Sequence, residues 1–115
     1  MNITQEICKI LDSKKAQDIV VVDIRHLTVI ADDFIICSGR STTQVKALAN
    51  YVDDEMSKLG RQPLRSEGKQ EGRWAVVDYG DVIVHIFHEE TRRLYSLEQL
   101  WSDGTNVTRY NGENN

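Results

Sequence analysis

Three groups of residues have the types and spacing to do chemistry. Gly39-Arg40-Ser41 lies between an apolar run and a helical pattern, where backbone N–H groups at a helix start can hold an anion such as a nucleotide phosphate. It is too short to be a phosphate-binding fingerprint, having neither GxGxxG nor GxxxxGK[ST]. His85, His88 and Glu89 bring imidazole and carboxylate ligands close together in the chain, as zinc requires. On a strand, however, positions three apart point to opposite faces, so a shared metal needs a bend at His88. Asp78 and Asp81 flank a glycine, where turn hydrogen bonds are their ordinary use. Acid–base work would need one of them buried with a shifted pKa. No nucleophile has a matched base. The sequence supports neither catalysis nor a cofactor.

The stretch around those acids has the chemistry of recognition instead. Trp74–Tyr79 and Val82–His88 are two runs rich in Val, Ile and aromatics, separated by Gly80-Asp81. A two-residue loop with Gly first signals a type II′ hairpin, because Gly takes a positive φ without a steric penalty. Tyr79 then stands opposite Val82. Opposed residues share a face, so Ala75/Ile86, Val77/Val84 and Tyr79/Val82 form one side. This is aliphatic core that calls for a helix over it. Trp74/Phe87, Val76/His85 and Asp78/Ile83 form the other. That mixture fits either a second core layer with a satisfied His or an exposed recognition surface, where Trp, Tyr and Phe serve as anchors.

Other elements must position the hairpin. Residues 4–15 read as a short amphipathic helix with Thr4 as N-cap, Ile7, Cys8 and Leu11 inward, and Lys14 and Lys15 in the last turn. Asp18–Ile24 and Phe34–Ser38 are β-branched or apolar runs of the kind buried on both sheet faces. Between them Leu27, Val29 and Ile30 are expected to tuck under the fold. Ser41-Thr42-Thr43-Gln44 matches a capping box. It opens a helix whose stripe is Val45, Leu48, Ala49, Val52, Met56 and Leu59, and Gly60 is placed to end it. Pro63–Ser66 reads as a short edge strand and residues 68–72 as a turn. After the hairpin come a short helix over Glu89–Leu94 and a helical turn over Ser96–Trp101, with Leu97, Leu100 and Trp101 inward. The order α-β-β-α-β-β-β-α predicts an α/β (α+β) fold, a mixed sheet covered by helices. The domain is expected to span residues 1–104, with 105–115 a flexible polar tail.

Composition sets outer limits. The 115 residues suffice for one domain with its own core, and 40% hydrophobic with 28% charged content is ordinary for a globular protein. No apolar run approaches membrane-spanning length, and residues 1–15 lack a secretory core, so the expectation is a cytoplasmic protein with no membrane partner. Cys8 and Cys37 read as buried reduced thiols, with a disulfide or metal pair as the alternative. A net charge of −4 argues against wholesale nucleic-acid binding, with no direct sequence-specific nucleic-acid contact expected, and suits a basic protein partner.

Several of these residues, in order, resemble the ribosomal silencing factor family (RsfS, or Iojap). The carriers are Ala31-Asp32-Asp33-Phe34, Ser38-Gly39 with Ser41 and Gln44-Val45, Gly68, Gly72-Arg73-Trp74, Asp78-Tyr79-Gly80-Asp81-Val82, His85 and Phe87. Glu90, Arg92, Tyr95, Leu97-Glu98 and Leu100-Trp101 complete the match over roughly residues 4–102. Asp33 stands where the family commonly has an aromatic. The resemblance implies a nucleotidyltransferase-like mixed sheet of about five strands without catalytic function. No Asp-x-Asp strand follows Ser38-Gly39 to hold metal. It also implies binding to ribosomal protein fourteen of the large subunit, exclusion of the small subunit and repression of translation when nutrients are scarce. Homodimers are implied off the ribosome. The expected contact residues are Trp74 as anchor with Asp78, Tyr79, Gly80, Asp81, His85 and Phe87, framed by Arg92, Tyr95 and Glu98. Tyr79 belongs to the motif although the register puts it on the opposite face. Arg92, Tyr95 and Glu98 could equally serve to fix the last helix to the sheet.

Overall fold

A computed structural model of the chain describes residues 2–112. Ten elements follow one another: α1 (Ile3–Ser13), β1 (Gln17–Asp23), β2 (Asp33–Gly39), α2 (Thr42–Lys58), β3 (Arg65–Glu67), β4 (Trp74–Asp78), β5 (Val82–His88), α3 (Glu89–Tyr95), α4 (Leu97–Leu100) and β6 (Val107–Arg109). The strands form one mixed sheet in the order β3-β4-β5-β2-β1-β6. The β2–β5 pair is parallel and every other pair antiparallel. The fold class is the one expected, with six strands in place of about five.

Helix α2 forms where the sequence predicts. Ser41 Oγ accepts from Gln44 N at 3.0 Å, while Gln44 Oε1 accepts from Arg40 N at 2.7 Å, so the Gln reaches one residue beyond the cap. Val45, Leu48, Ala49, Val52 and Met56 face inward. Leu59 is the C-cap and 48% exposed, off the stripe it was expected to join, and Gly60 follows with φ +86°. Helix α1 starts two residues earlier than Thr4 would place it. Asn2 Oδ1 caps Gln5 N, which frees the Thr4 hydroxyl to donate to Asp33 Oδ2 at 2.9 Å. Burial raises the Asp33 pKa against that bond. Lys14 and Lys15 lie past the helix end, not in its last turn.

The two faces hold separate cores. Helices α1 and α2 cover the first, where Ile7, Leu11, Leu48 and Val52 pack with Ala75, Val77, Tyr79, Val82, Val84 and Ile86. Cys8 and Cys37 sit in that core as free thiols, and desolvation pushes each up to about 12. On the second face Val20, Val22, Ile36, Phe34 and Phe87 pack with Ile24 and Ala31 from the β1–β2 connection and Leu97 from α4.

Three expectations fail in the segments outside long helices. Leu27, Val29 and Ile30 do not tuck under; Val29 is fully exposed. Leu100 is 76% exposed, so α4 turns only Leu97 and part of Trp101 inward. The stretch 105–115, expected to be a flexible tail, contains β6, which lines the outer edge of β1 with Val22 opposite Val107. Its polar residues gave no burial signal because backbone bonds and Asn106 hold it. Asn106 Nδ2 donates to Asp23 O and Trp101 O at 2.8 and 2.9 Å, and its Oδ1 accepts from Asp103 N at 2.8 Å. Residues 113–115 of the expected tail lie outside the described residues.

Candidate partner-binding surface

The hairpin has the predicted register. Trp74 pairs with Phe87, Val76 with His85 and Asp78 with Ile83, and Tyr79 N donates to Val82 O at 2.9 Å. Gly80 sits at φ +91°, the conformation a side chain would resist. The turn is tied to its surroundings by its two acids. Asp78 Oδ1 accepts from Gly80 N at 2.8 Å and its Oδ2 from Arg65 Nε at 3.3 Å. Asp81 Oδ1 pairs with Arg61 at 3.1 Å, while its carbonyl accepts from the amides of Asp32 and Asp33.

At the other end of the ribbon, roughly 13 Å away by strand rise, the aromatics gather. The Trp74 ring lies 4.7 Å from Phe87 and 5.0 Å from Tyr95. Its Nε1 donates to His85 Nδ1 at 3.1 Å. His85 meets Phe34 edge-on at 4.7 Å, and Phe34 meets Trp101 edge-on at 5.3 Å. Burial depresses the His85 pKa to about 4 against the opposing pull of Asp78. The imidazole is therefore neutral at ordinary pH.

The segment α3–α4 rests on this cluster and is pinned by Arg92. Its guanidinium donates from Nε to Glu98 Oε2 at 3.1 Å, with Nη2 at the same distance from that oxygen, and from Nη1 to Ser38 Oγ at 2.9 Å. A buried Arg with a carboxylate partner is costly to break from one side. Ser96 takes a left-handed φ of +47° between the two short helices.

The expected contact residues thus divide by depth. Phe87 is wholly buried, and Tyr79, His85 and Arg92 nearly so, which leaves their side chains facing this chain's interior. Burial also pushes the Tyr79 hydroxyl up to about 12. Trp74 is half-buried and Tyr95 is 59% exposed. Sequence reasoning missed Leu94, 82% exposed, and misplaced Leu100. Together with Tyr95 they crowd more apolar side chains onto two short helices than one buried stripe can take. That excess was the readable signal.

The enzymatic candidates fare differently. His88 caps α3 by accepting from Glu90 N at 3.3 Å while His85 turns to the aromatics, so the two are not convergent. Among the described residues no group of three or more His, Cys, Asp or Glu side chains could hold a metal. At Gly39-Arg40-Ser41 the amides of Arg40 and Gln44 are taken by side chains of the helix start. A cleft of about 540 Å³ nearby is lined by Asp18, Glu89 and Glu98 as well as Arg92, Arg93 and Arg109, charges that cancel. Among the described residues no helix is long and apolar enough to cross a membrane.

Comparison with known proteins places this architecture. A Bacillus subtilis protein, "Ribosomal silencing factor RsfS", is 45% identical over 80% of this chain and 78% of its own. The mouse "Mitochondrial assembly of ribosomal large subunit protein 1" is 32% identical over 81% of this chain and 42% of its own. A crystal structure of a Chromobacterium violaceum protein superposes with a TM-score of 0.82 at 38% identity, covering 97% of this chain and 95% of that one. The sequence model described as "Ribosomal silencing factor during starvation" matches residues 1–115. With that match and relatives of this similarity, the chain belongs to the ribosomal silencing factor family.

Proposed function

We propose that this protein represses translation by docking on the large ribosomal subunit, at its ribosomal protein fourteen, where it sterically blocks the small subunit when nutrients are scarce. The observation that carries the reading is the half-open aromatic end of the second sheet face. Trp74 is half-buried there against the largely exposed Tyr95, and Leu94 and Leu100 of the same two short helices are exposed as well, more apolar surface than a lone domain gains from showing. Family membership supports the ribosomal partner, as does the name of the mouse relative. A net charge of −4 favours encounter with a basic ribosomal protein.

Trp74 and Tyr95 make the direct contact, with Trp74 as the anchor. Phe87 and His85 support the anchor from below, and Arg92 with Glu98 holds the α3–α4 frame. Asp78, Tyr79, Gly80 and Asp81 set the turn and the ribbon's register. The action is steric, in the ribosome's compartment, without catalysis. Off the ribosome two copies pair as a homodimer.

Co-sedimentation with purified large subunits, followed by a subunit-joining assay, tests this. The wild-type chain pellets with large subunits and slows joining. Trp74→Ala loses roughly 2 kcal/mol or more of binding, at least about thirtyfold, while staying folded. Wild-type binding by that variant would remove the anchor, and with it the proposed surface.

A further inference from the structure

The Trp74 indole nitrogen can only donate, so its 3.1 Å contact with His85 Nδ1 fixes the imidazole as well as the indole. Nδ1 must offer its lone pair, and the neutral ring then carries its proton at Nε2. His85 is held hard. It is 8% exposed, edge-on to Phe34 at 4.7 Å and nearly parallel to Phe87 at 6.4 Å. Trp74 is half-buried, and its other ring partners, Phe87 and Tyr95, touch it through tilted ring contacts. Such contacts limit tilt but do not fix which edge of the indole points inward.

His85 is also a poor core filler. Its Nε2 is buried and finds no acceptor among the described residues, which costs stability that an aliphatic side chain would not forfeit. Its one good polar contact is the indole.

We infer that His85 is a positioning residue of the docking surface, whose Nδ1 locks the Trp74 indole with its inner edge down and its open side turned to the partner. The inference rests on the docking role proposed for Trp74. An anchor ordered before contact does not lose rotamer freedom on binding, a gain of about three- to tenfold in affinity.

The full-length chain with His85→Leu, His85→Asn, Trp74→Phe and the Leu/Phe double variant tests it, with purified large subunits as the probe. Leu removes the acceptor. Asn restores one, because its Oδ1 falls near the position of Nδ1. Two readouts are taken on each folded variant: affinity for large subunits, and the indole N–H resonance that Trp74→Phe identifies. His85→Leu is expected to shift that resonance, speed its exchange with solvent and weaken binding about three- to tenfold. His85→Asn recovers most of both. In the Trp74→Phe background, which has no indole N–H, His85→Leu adds nothing. An unmoved resonance, a full binding loss that Asn fails to rescue, or equal losses in both backgrounds would each overturn the inference. If Trp74→Ala binds at wild-type strength the docking surface itself is wrong; an indole bond intact beside a failed Asn rescue removes only the positioning role.

Discussion

On one face of the sheet α1 and α2, with 11 and 17 residues, lie across the strands and leave Val77, Val84 and Ile86 without exposure. On the other, α3 and α4 bring seven and four residues, and part of the aromatic layer stays open to solvent. The strands are the same; only the covers differ. Length is what separates them. A helix of several turns can dedicate a full apolar stripe to a sheet, whereas α3 buries only the polar Thr91 and Arg92, α4 and its C-cap add Leu97 and part of Trp101, and Leu94, Tyr95 and Leu100 stay outside. The closed face therefore carries stability, and the half-closed one has surface to give to a partner.

That division can be broken by substitution. Leu48→Ala, under α2 on the closed face, is expected to cost about 3 kcal/mol in chemical denaturation. It should leave large-subunit affinity unchanged once the protein is folded. A binding defect in the folded variant would show that the faces are not separable.

Acid sharpens the contrast from the other side. The His85 pKa falls from 6.5 to about 4 on folding. Its folded pKa lies below the unfolded one, so the unfolded chain binds the proton first as pH falls. Stability from the neutral imidazole is complete above about 6.5 and lost as pH drops toward 4, by up to about 3 kcal/mol. Subtracting the denaturation profile of His85→Leu from the wild-type profile isolates this loss. A flat difference between pH 7 and 4 would mean that His85 is as well solvated as a surface His.

The smallest effect is on Leu94, which the closed-face logic says should not matter to folding. Leu94→Ser shifts stability by no more than about 0.5 kcal/mol. It nonetheless weakens large-subunit binding measurably, since the side chain is 82% exposed on the proposed contact. Equal binding by wild type and variant would shrink the surface to Trp74 and Tyr95.

What could be read from the sequence follows the range of the physics involved. Gly80-Asp81 set the hairpin register because a two-residue turn leaves no slack, and alternation then sorted both faces. Helix α2 was readable because a cap and a stripe of five buried residues agree. The outward turn of Leu27, Val29, Ile30 and Leu100 was not, since segments of one turn or less show no period to separate inside from outside. Strand β6 was hidden for another reason: Thr108 and Arg109 contribute main-chain bonds, and no hydrophobic pattern reports those. Within the site, Trp74 and His85 were placed on one face from spacing alone. Their hydrogen bond and the burial of Phe87 needed coordinates.

The single parallel seam between β2 and β5 has a consequence for how the chain assembles. Each partner belongs to an antiparallel neighbourhood, β1 with β2 and β4 with β5, and those can zip early from near contacts. The seam joins residues about 50 positions apart, as Asp33 opposite Val82, and α2 must swing over before it can close. Loop-closure entropy is concentrated at that one step, so refolding speed is governed by Ile35, Ile36, Val84 and His85 rather than by the tight turn. A nascent chain stalled before β5 emerges would show half a sheet with β2 as a bare edge.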